Sequence, residues 1–95
     1  MFILQIEHAV PDYAGWKKAF DRDPVGRKKM GVKQFEIFQR SGDSNYVIIN
    51  LWFESLVQAE EAVAHLRELW AGAGAKFILN PQLRILTRVE QQNLD

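Results

Sequence analysis

The chain has 95 residues and a mass of 11.0 kDa, which is the size of one small domain. Twelve Lys and Arg residues balance twelve Asp and Glu residues, so the whole chain lacks the positive excess typical of proteins that bind nucleic acid or anionic membranes. No cysteine is present, which excludes disulfides, thiolate metal sites and a cysteine nucleophile. We expect a single domain over residues 1–95, stabilised by packing and by self-association.

The N-terminal residues do not resemble a signal peptide. They have no basic start, and Glu7 interrupts the apolar stretch within a few residues. The longest uncharged apolar run, residues 69–75, is too short to cross a bilayer. We therefore expect a cytoplasmic protein with no membrane partner.

The first third of the chain predicts one strand and two helical segments. Residues 2–10 are apolar and rich in β-branched side chains, which favours a strand. Asp12 is a suitable cap for a helix that follows. Three aromatic residues recur at helical spacing and form its apolar face: Tyr13, Trp16 and Phe20. Residues 23–24, Asp-Pro, should break or restart the helix, and a short segment over 27–30 ends at Gly31.

The middle of the chain predicts a hairpin and a second main helix. Residues 32–40 and 46–54 read as strands, and the turn formers at 41–45 separate them. Ser55, with Gln58 three residues later, forms a capping box at the start of the helix. The apolar stripe of this helix comprises Leu56, Ala59, Val63, Leu66 and Trp70.

The last part of the chain predicts a final strand. Gly72 and Gly74 are expected to end the second main helix. Residues 77–79 are compatible with a short extra strand. The final strand is expected over 82–90, just after the Asn-Pro turn signal. The order β-α-β-β-α-β is typical of the α+β ferredoxin-like sandwich, with two layers.

Residues two apart in a strand share one face of the sheet, so the pattern predicts two different faces. The face that the helices cover is almost wholly apolar: Phe2, Leu4, Ile6, Phe35, Ile37, Val47, Ile49, Leu51, Phe53, Leu83, Ile85 and Val89. The other, which we call the mixed face, carries Ile3, Gln5, Glu7, Gln34, Glu36, Phe38, Tyr46, Ile48, Asn50, Trp52, Arg84, Leu86 and Arg88.

The composition of the mixed face predicts self-association. Six of its side chains are large and apolar or aromatic, which exceeds what a monomer usually exposes on one surface. Its two Glu and two Arg residues are costly to bury unless they are paired. An interface that contains a partly wet pocket fits both properties. An exposed sheet that binds a partner is the alternative.

The segment at residues 8–21 reads HAVPDYAGWKKAFD. Its spacing, His-x-Val-x-Asp-Tyr-x-x-Trp-x-x-x-Phe-Asp, resembles the opening of small dimeric α+β barrel proteins, namely the antibiotic-biosynthesis-monooxygenase-like group and small cyclase-like proteins. The β-α-β-β-α-β order extends this resemblance, at the level of the fold, to residues 2–90. The resemblance implies a homodimer in which two sheets close a barrel that contains a small-molecule cavity.

The resemblance does not determine the reaction. Some such proteins oxidise polycyclic aromatic substrates with O₂ and no cofactor, others degrade haem, and others isomerise lactones. Because a fold does not fix a function, no catalytic residue is carried over from the resemblance.

Charged residues of the mixed face are the first candidates for chemistry. Glu7 is expected near Arg84, since the first and last strands are antiparallel neighbours in this fold. With Glu36 and Arg88, these residues suggest a general base beside a clamp for an anion or enolate. The alternative is a set of ion pairs across strands or across the dimer.

Asn50 and Trp52 are the strongest candidates for a ligand site. They share the mixed face on a central strand, where an amide and an indole N–H can hold a carbonyl or oxyanion while the ring stacks on a planar ligand. Phe38 adds a further wall to this predicted pocket. Interface packing is the alternative for all three. His8, close to Asp12 and Tyr13, is either an acid/base group at a pocket mouth or a structural histidine tied to a turn carbonyl or to an Asp.

No metal or cofactor is expected. The two histidines, His8 and His65, are distant in sequence and have no cysteine beside them, so they do not form the spacing pattern of a metal site. His65 is the one helical histidine able to ligate haem, so haem degradation stays open. Strand three lacks the motif of an RNA-binding sheet, so no nucleic-acid partner is expected.

Three functions therefore remain open for the chain. One is a cofactor-independent monooxygenase or cyclase-like enzyme acting on a planar aromatic or polyketide-like substrate. Another is a non-catalytic ligand-binding or regulatory module. The third is an interaction protein whose mixed face only makes the dimer.

Overall fold

Alternating apolar residues form four strands of one antiparallel sheet in the computed structural model, which describes residues 1–95. The strands are β1 (Phe2–Ala9), β2 (Gln34–Arg40), β3 (Asp43–Phe53) and β4 (Leu79–Thr87). Their order is β2-β3-β1-β4, so β3 and β1 are the two central strands. The predicted hairpin of β2 and β3 is confirmed.

The helices begin where the sequence provides their caps. They are α1 (Tyr13–Asp21), α2 (Arg27–Met30) and α3 (Leu56–Ala71), and a single 3₁₀ turn follows at Ala75–Phe77. The carboxylate of Asp12 accepts a hydrogen bond from the N–H of Gly15 at 2.9 Å. The hydroxyl of Ser55 accepts one from the N–H of Gln58 at 3.3 Å. Both predicted N-caps are therefore confirmed, although the Gln58 side chain makes no return bond to complete the predicted capping box. None of the helices combines the length and the apolar character that crossing a bilayer requires.

The core lies between the sheet and the helices, on the face predicted to be apolar. Its twelve buried residues form one cluster: Leu4, Ile6, Val10, Trp16, Val47, Ile49, Leu51, Phe53, Ala59, Ala62, Leu66 and Ile78. Helices cover this face alone, so the protein has two layers. The predicted α+β ferredoxin-like sandwich is confirmed.

The predicted position of the last strand was wrong by three residues. β4 begins at Leu79, before Pro81, and ends at Thr87. The strand was expected to begin after Pro81 because Asn-Pro is a turn signal. Proline also has no N–H to donate to a neighbouring strand. However, β4 is an edge strand, where a missing donor can face away from its neighbour. Asn80 takes a positive φ of 51° beside a bulge in the β1–β4 pairing, which lets the strand start early.

Three smaller expectations also need correction. Val89 lies beyond the end of β4 and is exposed. Phe35 on the edge strand β2 meets the Phe20 ring on the predicted face, but it remains 44% exposed. Leu56 is exposed as well, and Ala62 takes its place in the buried stripe of α3. The break after α1 and the short helical segment over 27–30 are both confirmed, and the side chain of Asp23 accepts a hydrogen bond from the Arg27 N–H at 2.9 Å.

Two leucine-to-alanine variants, one at a buried position and one at an exposed position, test the location of the core. Leu4 is 0% exposed, whereas Leu94 is 87% exposed. Leu4→Ala should lower the free energy of unfolding by about 2–5 kcal/mol, because it removes buried methyl groups and leaves a gap. Leu94→Ala, the same chemical change, should alter it by less than about 0.5 kcal/mol. Urea denaturation of both variants measures the difference, and equal losses would contradict this core.

Candidate functional site

Polar side chains of the mixed face form one hydrogen-bonded network across the sheet. Asn50 is at its centre, where its side-chain oxygen accepts a hydrogen bond from Gln5 at 3.1 Å and its nitrogen donates to Glu36 at 3.3 Å. The indole N–H of Trp52 donates to the same Glu36 oxygen at 3.0 Å. These polar groups are therefore partnered within the chain, which reduces the cost of covering them.

Arg84 extends the network onto β4. Its guanidinium donates to the Gln5 side-chain oxygen and to the Glu7 carboxylate, both at 2.7 Å. The predicted proximity of Glu7 and Arg84 is thus confirmed. The hydrogen bond from Arg84 lowers the pKa of Glu7, although partial burial of the carboxyl opposes the shift. A carboxylate with a lowered pKa is a weak base at neutral pH.

The remaining predicted residues of the mixed face lie beside this network. The guanidinium carbon of Arg88 is 4.5 Å from the ring centroid of Trp52, which is a cation–π contact. Phe38 pairs with Ile48 and is largely exposed. The structure therefore brings seven of the eight predicted site residues onto one face. That they line a ligand pocket stays a prediction.

A cavity of about 210 Å³ lies on the opposite side of the sheet, under the helices. Thirteen of its eighteen lining residues are hydrophobic, and the walls include four large aromatic side chains: Trp16, Phe20, Trp70 and Phe77. Gly74 closes one wall, where an added Cβ would come within 2.9 Å of the Leu69 side chain. A cavity of this kind suits a flat organic molecule.

This cavity was not predicted from the sequence, because the periodic aromatic residues of the helices, such as Trp16 and Phe20, were expected to fill the core. Helical periodicity identifies the face that is turned inward, but it does not reveal whether the space there is filled. The small residues Ala19, Ala73 and Gly74 among large aromatic ones are the one signal in the sequence that pointed to a gap.

His8 is the buried polar residue of the cavity wall. Its side chain is on the helix-covered face of β1, and the residue is 2% exposed. Alternation along β1 places His8 against Trp16. The two rings meet edge to face, with centroids 5.8 Å apart.

The hydrogen bonding of His8 leaves one nitrogen free for chemistry. Nδ1 lies 3.1 Å from the carbonyl oxygen of Ala9. A carbonyl only accepts, so Nδ1 carries the proton of the neutral ring and Nε2 is the acceptor. Nε2 has no hydrogen-bond partner in the protein, and His8 is one of the residues that line the cavity. Burial lowers the pKa of His8, which the hydrogen bond to Ala9 partly offsets, and the ring is therefore neutral at pH 7.

No three His, Asp or Glu side chains lie close enough together to share a metal ion. His65, the residue considered for haem, is exposed on α3.

Several solved structures share this fold. A protein from Nitrosomonas europaea, provisionally described as an antibiotic biosynthesis monooxygenase, superposes with a TM-score of 0.70 at 15% identity, over 95% of this chain and 100% of that chain. A variant of SnoaB, a cofactor-independent oxygenase from Streptomyces nogalater, gives 0.76 at 13% identity, over 95% and 94%. A dimeric ferredoxin-like protein from an uncultured marine organism gives 0.64 at 12% identity, over 96% and 97%.

These TM-scores establish the likeness of fold that the sequence suggested, and the low identities limit the likeness to the fold. No family model matches the chain, and no curated protein sequence matches it.

Burial of His8 predicts a pH dependence of stability. The unfolded chain binds a proton at His8 near pH 6.5, whereas the buried ring binds it only at a lower pH. The free energy of unfolding should therefore fall as the pH drops from 7.5 to 5.5, since the unfolded state then holds more protons. Urea denaturation across this range should show a smaller decline in His8→Phe, and an unchanged one in the control His65→Gln. A wild-type slope retained in His8→Phe would refute this role.

Proposed function

We propose that the protein is a homodimeric, cofactor-independent monooxygenase that binds a planar aromatic or polyketide-like substrate in the cavity between its sheet and its helices. The observation that carries the proposal is the aromatic-walled cavity with neutral His8 in its wall. The similarity of fold to a cofactor-independent oxygenase supports the reaction type.

His8 is the proposed base. Its Nε2 accepts a proton from an acidic methylene carbon of the substrate, which leaves an electron-rich carbanion in a largely apolar cavity. The carbanion transfers one electron to O₂, and the two radicals combine at that carbon. With the proton returned from His8, the product is a hydroperoxide, which loses water to give a ketone. Overall, a methylene group and O₂ give a carbonyl group and water, so the substrate supplies all the electrons.

The mixed face is the proposed dimer interface. Phe38 and Leu86 remain 47% and 36% exposed there, and no helix of the chain covers this face. The polar network at its centre is internally paired, which lowers the cost of burying it against a second copy. In this arrangement Asn50 and Trp52 stabilise the interface, and neither residue contacts the substrate, because the cavity lies on the opposite side of the sheet.

The enzyme proposal is tested with 1,8-dihydroxyanthrone, a planar phenol that has one acidic methylene group. The protein should speed O₂ uptake and anthraquinone formation above the buffer rate. His8→Gln should reduce the protein-dependent rate by about 10²–10⁴-fold, the usual contribution of a general base. His65→Gln, which changes an exposed histidine, is the control and should keep the full rate. O₂ uptake no faster than in buffer would refute the enzyme, and quenching of tryptophan fluorescence without turnover would favour the ligand-binding module.

The dimer proposal is tested by sedimentation at micromolar concentration. The wild type should run at twice the chain mass of 11.0 kDa. The double variant Phe38→Lys/Leu86→Lys should run as a monomer, because four lysines would meet in the interface. Val57→Lys, an exposed apolar position on α3, is the control and should remain dimeric. A monomeric wild type with a folded sheet would exclude this interface.

A further inference from the structure

Positive charge is concentrated in one segment of this otherwise balanced chain. Residues 17–33 carry seven Lys or Arg residues and only two Asp residues, whereas the rest of the chain carries five basic and ten acidic residues. The segment runs from α1 through α2 to the start of β2. Two of its arginines, Arg22 and Arg27, line the cavity. The positive field of this segment therefore extends to the candidate site.

The charged groups of the cavity wall are all positive. Arg22 and Arg27 are its charged side chains, and no Asp or Glu lines it. Arg22 is exposed, and its guanidinium makes no hydrogen bond or ion pair within the chain. A free guanidinium at the mouth of an apolar cavity has its full donor capacity available to a ligand.

Arg27 is held in place more firmly. It donates to the carbonyl oxygen of Phe20 at 2.8 Å, and its guanidinium carbon is 3.9 Å from the Phe20 ring centroid. Its contact with the carboxylate of Asp23 is longer, at 3.4 Å. One carboxylate thus offsets part of the charge of two arginines, and the mouth keeps a net positive charge.

We propose that the cavity selects anionic planar aromatic ligands, which insert their rings among the aromatic walls and leave a carboxylate or similar acid group at Arg22 and Arg27. This inference rests on the proposed function of the cavity and names the class of its substrate. A neutral ring gains nothing from the two guanidinium groups, whereas an acid group forms charge-assisted hydrogen bonds with them. The basic segment also increases the rate at which anions reach the mouth.

Two fluorescent probes of nearly the same shape test this selection. 1-Anilinonaphthalene-8-sulfonate carries a sulfonate, and N-phenyl-1-naphthylamine is the same molecule without it. The sulfonate probe should bind the wild-type protein more tightly. The dissociation constant of the sulfonate probe should rise as the salt concentration is raised from 10 to 300 mM, because salt screens the attraction between the sulfonate and the arginines. The dissociation constant of the neutral probe should stay constant.

Arginine variants separate charge from shape. Arg22→Gln should weaken binding of the sulfonate probe about threefold and leave the neutral probe unchanged. Arg22→Gln/Arg27→Gln should weaken it more than tenfold, because Arg27 is partly buried. Arg67→Gln removes a charge from the exposed surface of α3, outside the cavity, and should change neither affinity.

A cavity-filling variant locates the binding. Ala19→Phe, or Ala73→Phe if the first loses its circular dichroism spectrum, should abolish binding of both probes. Equal affinities for the two probes, or an equal loss of both in Arg22→Gln, would overturn the charge selection and leave the cavity intact. Binding that survives cavity filling, or no binding of either probe, would overturn the proposed function itself.

Discussion

β1 and β3 hydrogen-bond along their whole length at the centre of the sheet, from the Phe2–Phe53 pair to the Ala9–Tyr46 pair. Their side chains alternate between a covered face and a bare one, and a slip of one residue would exchange the two faces. Glu7 and His8 are neighbours in sequence, yet one joins the polar network and the other faces the cavity. Both candidate surfaces of this protein therefore depend on the register of one strand pair.

The bare face combines two properties that usually exclude each other. Its apolar rim favours contact with another surface, and its centre holds ionised groups that are costly to bury. Internal pairing resolves the conflict, because Glu36 accepts from Asn50 and Trp52, and Arg84 is neutralised by Glu7. A partner surface then needs to supply few polar groups of its own. That is a property of an interface rather than of a ligand pocket, whose polar groups must stay free to bind.

The sequence correctly predicted contacts between near neighbours and between paired strands. It did not predict features that depend on how the helices and strands are arranged in the assembled fold. Asp12 and Ser55 are predictable because a cap is a contact between residues three apart. The Glu7–Arg84 pair is predictable because strand order and alternation fix which residues meet. The cavity is different, since it depends on how far α1 and α3 stand from the sheet. The early start of β4 depends on its place at the edge, which is a property of the assembled sheet.

The stability that the protein gives up by keeping this cavity is a further argument that the cavity has a function. Apolar side chains that line a gap lose the contacts that a filled core would give them, which lowers the stability of the fold. A domain of this size usually has only about 5–15 kcal/mol in total. Larger side chains at Ala19 or Ala73 would fill the space without any new backbone geometry. A small chain that keeps both the gap and a buried histidine in its wall gives up stability at that point, which is typical of a site maintained for binding.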